Sequence, residues 1–243
     1  MSLQKMLIEC RKILGNSGFR IKQGANKMTN NLRDEELAAQ LSQLGSATIY
    51  EAQGAFGALD EGMKPLSPNM RVAGPAFTVD VRPGDNLMLH YALLHVQPGD
   101  VLVVDAKAFL EAGPWGDILT EQALHKGVAG LVINGSVRDV QAIREMGFPV
   151  FCRGVSIKGT AKRQTGKINV PVTIGDVTIQ PGDYIFGDED GLVVVAAAHL
   201  SAVLKSALAR EHTEANFRAK IREGVSTVEL LDLKASLSQM GLA

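Results

Sequence analysis

The sequence predicts an α/β fold with a central β/α unit, an antiparallel β layer and terminal helices. Three observations predict it. Between Val101 and Gly154, near-continuously apolar strand segments (VLVVDA, AGLVI, PVFCRG) alternate with short helical segments (ILTEQALHKG, VRDVQAIREMG). That alternation is the pattern of a parallel sheet whose strands are buried on both faces. After Gly154 the chain changes to short β segments with tight turns, VPVTIGDVTIQPGDYIFGDEDGLVVVA, which reads as an antiparallel layer. From Ala198 a long helix runs to about Arg222, with Val203, Leu204, Leu208 and Phe217 among its apolar residues.

In chain order, residues 1–33 read as an N-terminal helical arm, an amphipathic helix followed by the polar connector GNSGFRIKQGANKMTNN. From Arg33, Leu37, Ala38, Leu41 and Leu44 share a helix face at three- and four-residue spacing. Gly45 ends that helix, and Ser46 is placed to cap a second, ATIYEAQG. Phe77, Val79 and Val81 alternate with Thr78 and Asp80, a strand signature. Pro83-Gly84-Asp85 then turns the chain, and Asp85 or Asn86 can cap a helix through LMLHYALLHV. The same triplet recurs at Pro98-Gly99-Asp100 and Pro181-Gly182-Asp183. Proline fixes φ, glycine accepts positive φ and aspartate bonds nearby backbone, so each triplet reads as a turn. Gly224 stops the long C-terminal helix, and STVELLDLKASLSQM supplies a helical tail. The organisation is therefore an arm (1–33), a core (34–198) and C-terminal helices (199–243). Long terminal helices on a compact core favour packing on a neighbouring subunit, hence a homo-oligomer.

The 243 residues suffice for a sizeable core, with 46% apolar and 21% charged residues. A formal net charge of −1 gives no electrostatic reason to expect nucleic acid or an anionic membrane as partner. The apolar residues of the N-terminus are interrupted by Gln4, Lys5, Glu9, Arg11 and Lys12, unlike a signal peptide. No stretch offers the roughly 18 apolar residues of a membrane span. A cytoplasmic protein is expected, with Cys10 and Cys152 as thiols, since they fit no metal or redox spacing. His90, His95, His125, His199 and His212 show no zinc-ligand spacing, and His90 reads as a satisfied structural histidine. Lys162 lies in a polar loop, TAKRQTG, with nothing in the neighbouring sequence to activate it, and GDEDG at 187–191 reads as a turn rather than a calcium loop.

The stretch GPWGDILTEQALHKGVAGLVINGSVRD, from Gly113 to Asp139, carries the candidate chemistry. Ligands of parallel α/β sheets bind outside the carboxyl ends of the strands. Asp117 follows VLVVDA through a glycine-rich loop, and Arg138-Asp139 follow AGLVI through NGS, so both acids belong to one sheet edge. The N–H groups of Ile118 and Leu119 open a helix there and suit an anion. An arginine fork binds a carboxylate or stabilises an enolate. A neighbouring carboxylate can hold a hard cation such as Mg²⁺ that keeps several waters. From residue types alone the same pattern also fits an N-cap at Asp117 and a surface ion pair at Arg138-Asp139.

Gly116-Asp117, twenty intervening residues and Arg138-Asp139 form a pattern similar to the signature of a known family. It contains the metal-dependent 4-hydroxy-4-methyl-2-oxoglutarate / 4-carboxy-4-hydroxy-2-oxoadipate aldolases and the regulator of ribonuclease activity A. The resemblance extends from about Leu37 to Gly224 and includes PGDNLMLHYAL, PGDVLVVDA, the GPWGD corner, VRDVQAIREMGFPVF and GDEDGLVVV. It implies a swivelling β/β/α fold in trimers or hexamers with sites between subunits. The activity it implies is a class II aldolase that cleaves a 4-hydroxy-2-oxo acid to pyruvate and a second oxo acid. Oxaloacetate decarboxylation is implied as a side activity. On this chain the resemblance makes Asp139 the ligand of Mg²⁺ or Mn²⁺ and Arg138 the group that binds pyruvate and stabilises its enolate. Gly116, Ile118 and Leu119 would bind substrate, the two amides holding its carboxylate, and Asp117 would position a water for proton transfer. Glu214, or failing it Glu211, would be the acid contributed by the C-terminal helix of the next subunit. Two alternatives remain at this point: a non-catalytic regulator of a ribonuclease, and an oxaloacetate decarboxylase as the main activity.

Overall fold

Apolar, β-branched runs form the middle of an eight-stranded sheet in the computed structural model, which describes residues 34–242. The chain enters through helices α1 (34–41) and α2 (Ser46–Ala52) and a short strand β1 (Lys64–Pro65). Strands β2 (Val72–Asp80), β3 (Val101–Phe109), β4 (Gly130–Val137) and β5 (Val150–Val155) then run parallel, side by side. The connections carry α3 (Leu87–Ala92), α4 (Asp117–His125) and α5 (Val140–Met146). The remaining strands are β6 (Lys167–Ile168), β7 (Val172–Ile174), β8 (Val177–Ile179), β9 (Tyr184–Gly187) and β10 (Leu192–Val195). The sheet order is β1-β5-β4-β3-β2-β9-β10, with β6 on the end of β2 and β7–β8 as a separate hairpin.

The predicted parallel unit is present and one strand larger, because β2 joins β3 in parallel through α3. The predicted antiparallel layer divides. β9 and β10 extend the main sheet, and only the β7–β8 hairpin lies apart from it. Alternation of side chains sends Leu102, Val104, Leu131 and Ile133 toward the cluster that includes Leu119 and Ile143, and Val101, Val103, Val132 and Phe151 toward the cluster that includes Ile174 and Ile179. With both faces covered, Val101–Val104 and Leu131–Ile133 lose all solvent exposure, which explains the uninterrupted apolar runs. A third cluster joins Leu41 and Ile49 to Phe186, Val195, Leu200 and Val203.

Local departures have local causes. Ser46 is the first residue of α2 rather than its cap. Its N–H and hydroxyl both donate to Asp188, 142 residues away, at 2.8 and 2.6 Å. Helix α3 ends at Ala92 instead of reaching Val96, as Leu94 and His95 tighten to bonds three residues back ahead of Pro98. The predicted C-terminal helix is α6 (Leu200–Arg222), whose buried residues (Leu200, Val203, Leu204, Ala207) all fall in its first half. Gly224, at φ 96, closes it, with Val225 N donating to Lys220 O. The tail follows as α7 (Thr227–Leu230) and α8 (Lys234–Gln239). The predicted arm and Cys10 lie outside the described residues. Cys152 is buried and free among the described residues, and burial pushes its thiol up to about 11. No helix among the described residues is long and apolar enough to cross a membrane.

Candidate active site

Two strand tips meet at the carboxyl edge of the sheet. Beyond Phe109 the chain loops back so that Trp115 pairs in parallel with Val137, and Arg138 N donates to Trp115 O at 2.9 Å. The indole anchors this junction. It is fully buried, stacks on Phe148 and donates through Nε1 to Thr120 Oγ1 at 2.7 Å, while that hydroxyl donates to Gly116 O at 2.9 Å. Asp117 and Asp139 thereby become neighbours. Asp117 N donates to Asp139 Oδ2 at 3.4 Å, and Arg138 Nε lies 3.3 Å from the same oxygen.

Gly116 permits this approach. A Cβ there would land on Asp139 Oδ2 and within 3.2 Å of Arg138 Cγ. Asp139 stands at the N-cap position of α5 in the left-handed region, φ 56, yet its carboxylate makes no capping bond. A left-handed aspartate costs about 1 kcal/mol, and a cap would normally return a similar amount. Here the carboxylate faces the neighbouring loop instead. Asp117 is the first helical residue of α4 rather than its cap, and its Oδ1 accepts from Ile118 N at 2.7 Å. The expected pair of free amides is therefore half realised: Ile118 N–H is engaged by Asp117, because Gly116 has no side chain to cap the helix. The Leu119 amide finds no acceptor among the described residues.

A cavity of about 210 Å³ opens here, lined by Gly116, Asp117, Ile118, Leu119 and Arg138, together with Asn86, His90 and Lys162. The last three were not selected from sequence. Asn86 donates to Pro114 O at 2.9 Å, while its Oδ1 and the Nε2 of His90 are buried without partners among the described residues. The satisfied structural histidine is thus corrected: His90 presents an unspent nitrogen at the cavity. Burial first, and the Lys162 charge second, hold its imidazole below the ordinary histidine range, so it is neutral at pH 7. Lys162 arrives through Asp85, whose Oδ2 accepts from Arg163 N (2.7 Å) and Gln164 N (3.1 Å) and whose Oδ1 accepts from Leu87 N (2.9 Å). Burial alone would raise the Asp85 pKa; these backbone donors outweigh it and hold the carboxyl below its usual range. The four-residue spacing of Asn86 and His90 on one helix face was the available signal. Lys162 carries none.

Glu214 and Glu211 are not brought to this cavity within the chain. Glu214 sits on α6 between Arg210 (2.9 Å) and Arg218 (3.3 Å), and Glu211 faces Thr48 and Arg218.

The donor set can be matched to a metal by its chemistry. Among the described residues no cluster of three His, Cys, Asp or Glu side chains exists, so nothing resembles a closed zinc site. Asp139 offers one hard oxygen donor on a carboxylate about 37% exposed, beside an open cavity. A single carboxylate with room for water suits Mg²⁺ or Mn²⁺.

The family model described as "RraA-like: Aldolase/RraA" matches residues 46–194. A protein of Halalkalibacterium halodurans named "Putative 4-hydroxy-4-methyl-2-oxoglutarate aldolase" is 35% identical over 205 residues, covering 84% of this chain and 95% of that protein. Among solved structures, an uncharacterized protein from Pseudomonas syringae pv. tomato superposes with a TM-score of 0.72 at 30% identity, covering 81% of this chain and 96% of that one. The RNA-processing inhibitor RraA of Thermus thermophilis gives 0.58 at 29% identity, covering 62% and 91%. The mixed α/β chain belongs to the RraA-like (Aldolase/RraA) family.

Proposed function

We propose that the protein is a divalent-metal-dependent aldolase that cleaves a 4-hydroxy-2-oxo dicarboxylic or tricarboxylic acid to pyruvate and a second oxo acid, with oxaloacetate decarboxylation as a side activity. The observation that carries this reading is that Asp117 and Arg138 line one small cavity and both meet the Asp139 carboxylate, with Gly116 reserved for that approach. The aldolase-named relative, matched over nearly its whole length, supports it.

Asp139 would hold Mg²⁺ or Mn²⁺, which when bound supplies Lewis acidity toward a keto oxygen. The Leu119 amide faces the substrate carboxylate, joined by Ile118 N–H once Asp117 turns away from it. Asp117, released, orders a water that takes the C4 hydroxyl proton. The C3–C4 bond breaks, its electron pair passes to the pyruvate enolate, and the Arg138 fork takes up charge on the C2 oxygen. Proton return to C3 completes pyruvate. Lys162, with neutral His90 and Asn86 beside it, lines the remaining wall and suits the substrate's second carboxylate. Glu214 of a neighbouring copy would share the water with Asp117, which requires a homo-oligomer, a trimer or hexamer, with its site between subunits.

The likeness to the RNA-processing inhibitor favours one second reading, a regulator without chemistry. One experiment separates the two. The protein is incubated with Mg²⁺ or Mn²⁺ and either 4-hydroxy-4-methyl-2-oxoglutarate or oxaloacetate, and pyruvate is measured with and without chelator. The expected outcome is chelator-sensitive pyruvate formation that falls by at least about 10²-fold in Arg138→Ala and in Asp139→Ala. Wild-type turnover in either variant ends the assignment, and pyruvate formation that resists chelation ends the metal dependence.

A further inference from the structure

Strand β3 is bent on its way to the site. Val104 pairs with Ile133, but the next register pair is Phe109 with Gly135, so β3 takes five steps where β4 takes two. Inside this bulge Lys107 and Ala108 stand at φ 60 and φ 53, two successive residues with side chains in the left-handed region. Such a bend persists only if the surroundings impose it.

A row of polar side chains surrounds it. Asp105, only 5% exposed, continues the alternation of Val101 and Val103 on the face away from α4 and α5. Its Oδ1 accepts from Lys107 N (2.9 Å) and Asn134 Nδ2 (2.9 Å), and its Oδ2 accepts from Lys107 Nζ (2.6 Å). The same ammonium reaches Asp80 at the end of β2 (2.5 Å). Arg153 on β5 donates to Asn134 Oδ1 (2.5 Å) and to Asp60 (2.9 Å). Burial alone would push the Lys107 ammonium down, but its bonds to Asp105 and Asp80 outweigh burial and hold it above the ordinary lysine range. The row thus ties four parallel strands together at the level where β3 leaves its register.

The slack beyond the bend is small. Leu110 O accepts from Ser136 Oγ at 3.2 Å, Gly113 N donates to Lys158 O at 2.9 Å, and Trp115 is already paired with Val137. Any change in the exit of β3 therefore passes to Gly116 and Asp117. We infer that Asp105 is a positioning residue: by holding Lys107, the first of the left-handed pair Lys107-Ala108, it sets where Gly116 and Asp117 land against Arg138 and Asp139. Its catalytic consequence rests on the aldolase reading; the placement itself does not.

Trp115 is the chain's single tryptophan and lies at the end of this loop, so its fluorescence reports the placement without any assay of activity. Asp105→Asn is expected to shift the emission to the red and to raise quenching by acrylamide. In the same variant kcat for pyruvate formation is expected to fall about 10²-fold, with KM within about threefold of wild type. Glycine adopts the left-handed conformation without side-chain cost. Adding Lys107→Gly and Ala108→Gly to the Asp105→Asn background is therefore expected to restore the emission and most of kcat, a rescue that a general stabilising role would not give. Lys107→Met serves as the second probe should Asp105→Asn fail to fold. Wild-type emission and quenching in the folded variant, or no recovery with the two glycines, overturns the inference. If the wild-type chain makes no pyruvate, the aldolase reading fails while the fluorescence comparison still decides the placement.

Discussion

Asp139 occupies a capping position and does not cap, at φ 56, with its carboxylate turned onto a neighbouring loop that approaches within contact at Gly116. Residue types and spacing were enough to select Gly116, Asp117, Arg138 and Asp139, because a parallel sheet delivers successive strand tips to one edge. They were not enough to free the Ile118 amide, which Asp117 occupies, or to find His90 and Lys162. Those two reach the cavity from α3 and from the loop held by Asp85, segments separated by some seventy residues of sequence. The tight approach at Gly116 makes a direct prediction. Gly116→Ala is expected to lower pyruvate formation by at least about 10²-fold, because the new methyl group displaces the Asp139 carboxylate. Its cost in stability should stay near the 1–3 kcal/mol typical of overpacking. Steady-state kinetics beside thermal denaturation would check both, and an active Gly116→Ala variant contradicts the geometry.

Helix α2 was legible as a helix but its cap was not, since the acceptor lies in the β9–β10 turn. That segment, GDEDG, has the composition of a turn and forms one, yet Asp188 within it also serves Ser46. Burial would raise the Asp188 pKa, but the Ser46 hydroxyl and N–H, then Asp190 N and the charge of Arg71, outweigh it and hold the carboxyl below 3.8. A depressed carboxylate contributes stability that is present above its ordinary pKa and lost as pH falls through the folded value. Asp188→Ala is therefore expected to cost about 1–3 kcal/mol at pH 7. Urea denaturation of variant and wild type should show this gap narrowing as the pH is lowered below 3.8. A gap independent of pH would assign the loss to packing rather than to the charged cap.

At the scale of the whole molecule, one chain assembles Asp117, Arg138 and Asp139 but leaves Glu214 on α6 between two arginines. If a second copy supplies that acid, Arg138→Ala and Glu214→Ala chains, each nearly inactive alone, should recover activity when co-expressed. With the two chains in equal amounts and random assembly, about a quarter of all sites would then draw both wild-type residues. Absence of recovery, measured as pyruvate formation by the purified mixed oligomer, rules out Glu214 as the shared acid and turns attention to Glu211. The sequence by itself determined the parallel β-α-β-α-β unit, the turns, the long C-terminal helix and the Gly-Asp and Arg-Asp pair at one sheet edge. These follow from periodicity, turn chemistry and chain order, all of which are local. Tertiary structure alone decided that β9 and β10 join the main sheet, that Asp188 caps α2, that His90 Nε2 has no partner among the described residues, and that Asp105 bends β3 with Asn134 and Arg153. Each of those outcomes depends on groups distant in the chain that meet only after the core has closed, and no local pattern records where they meet.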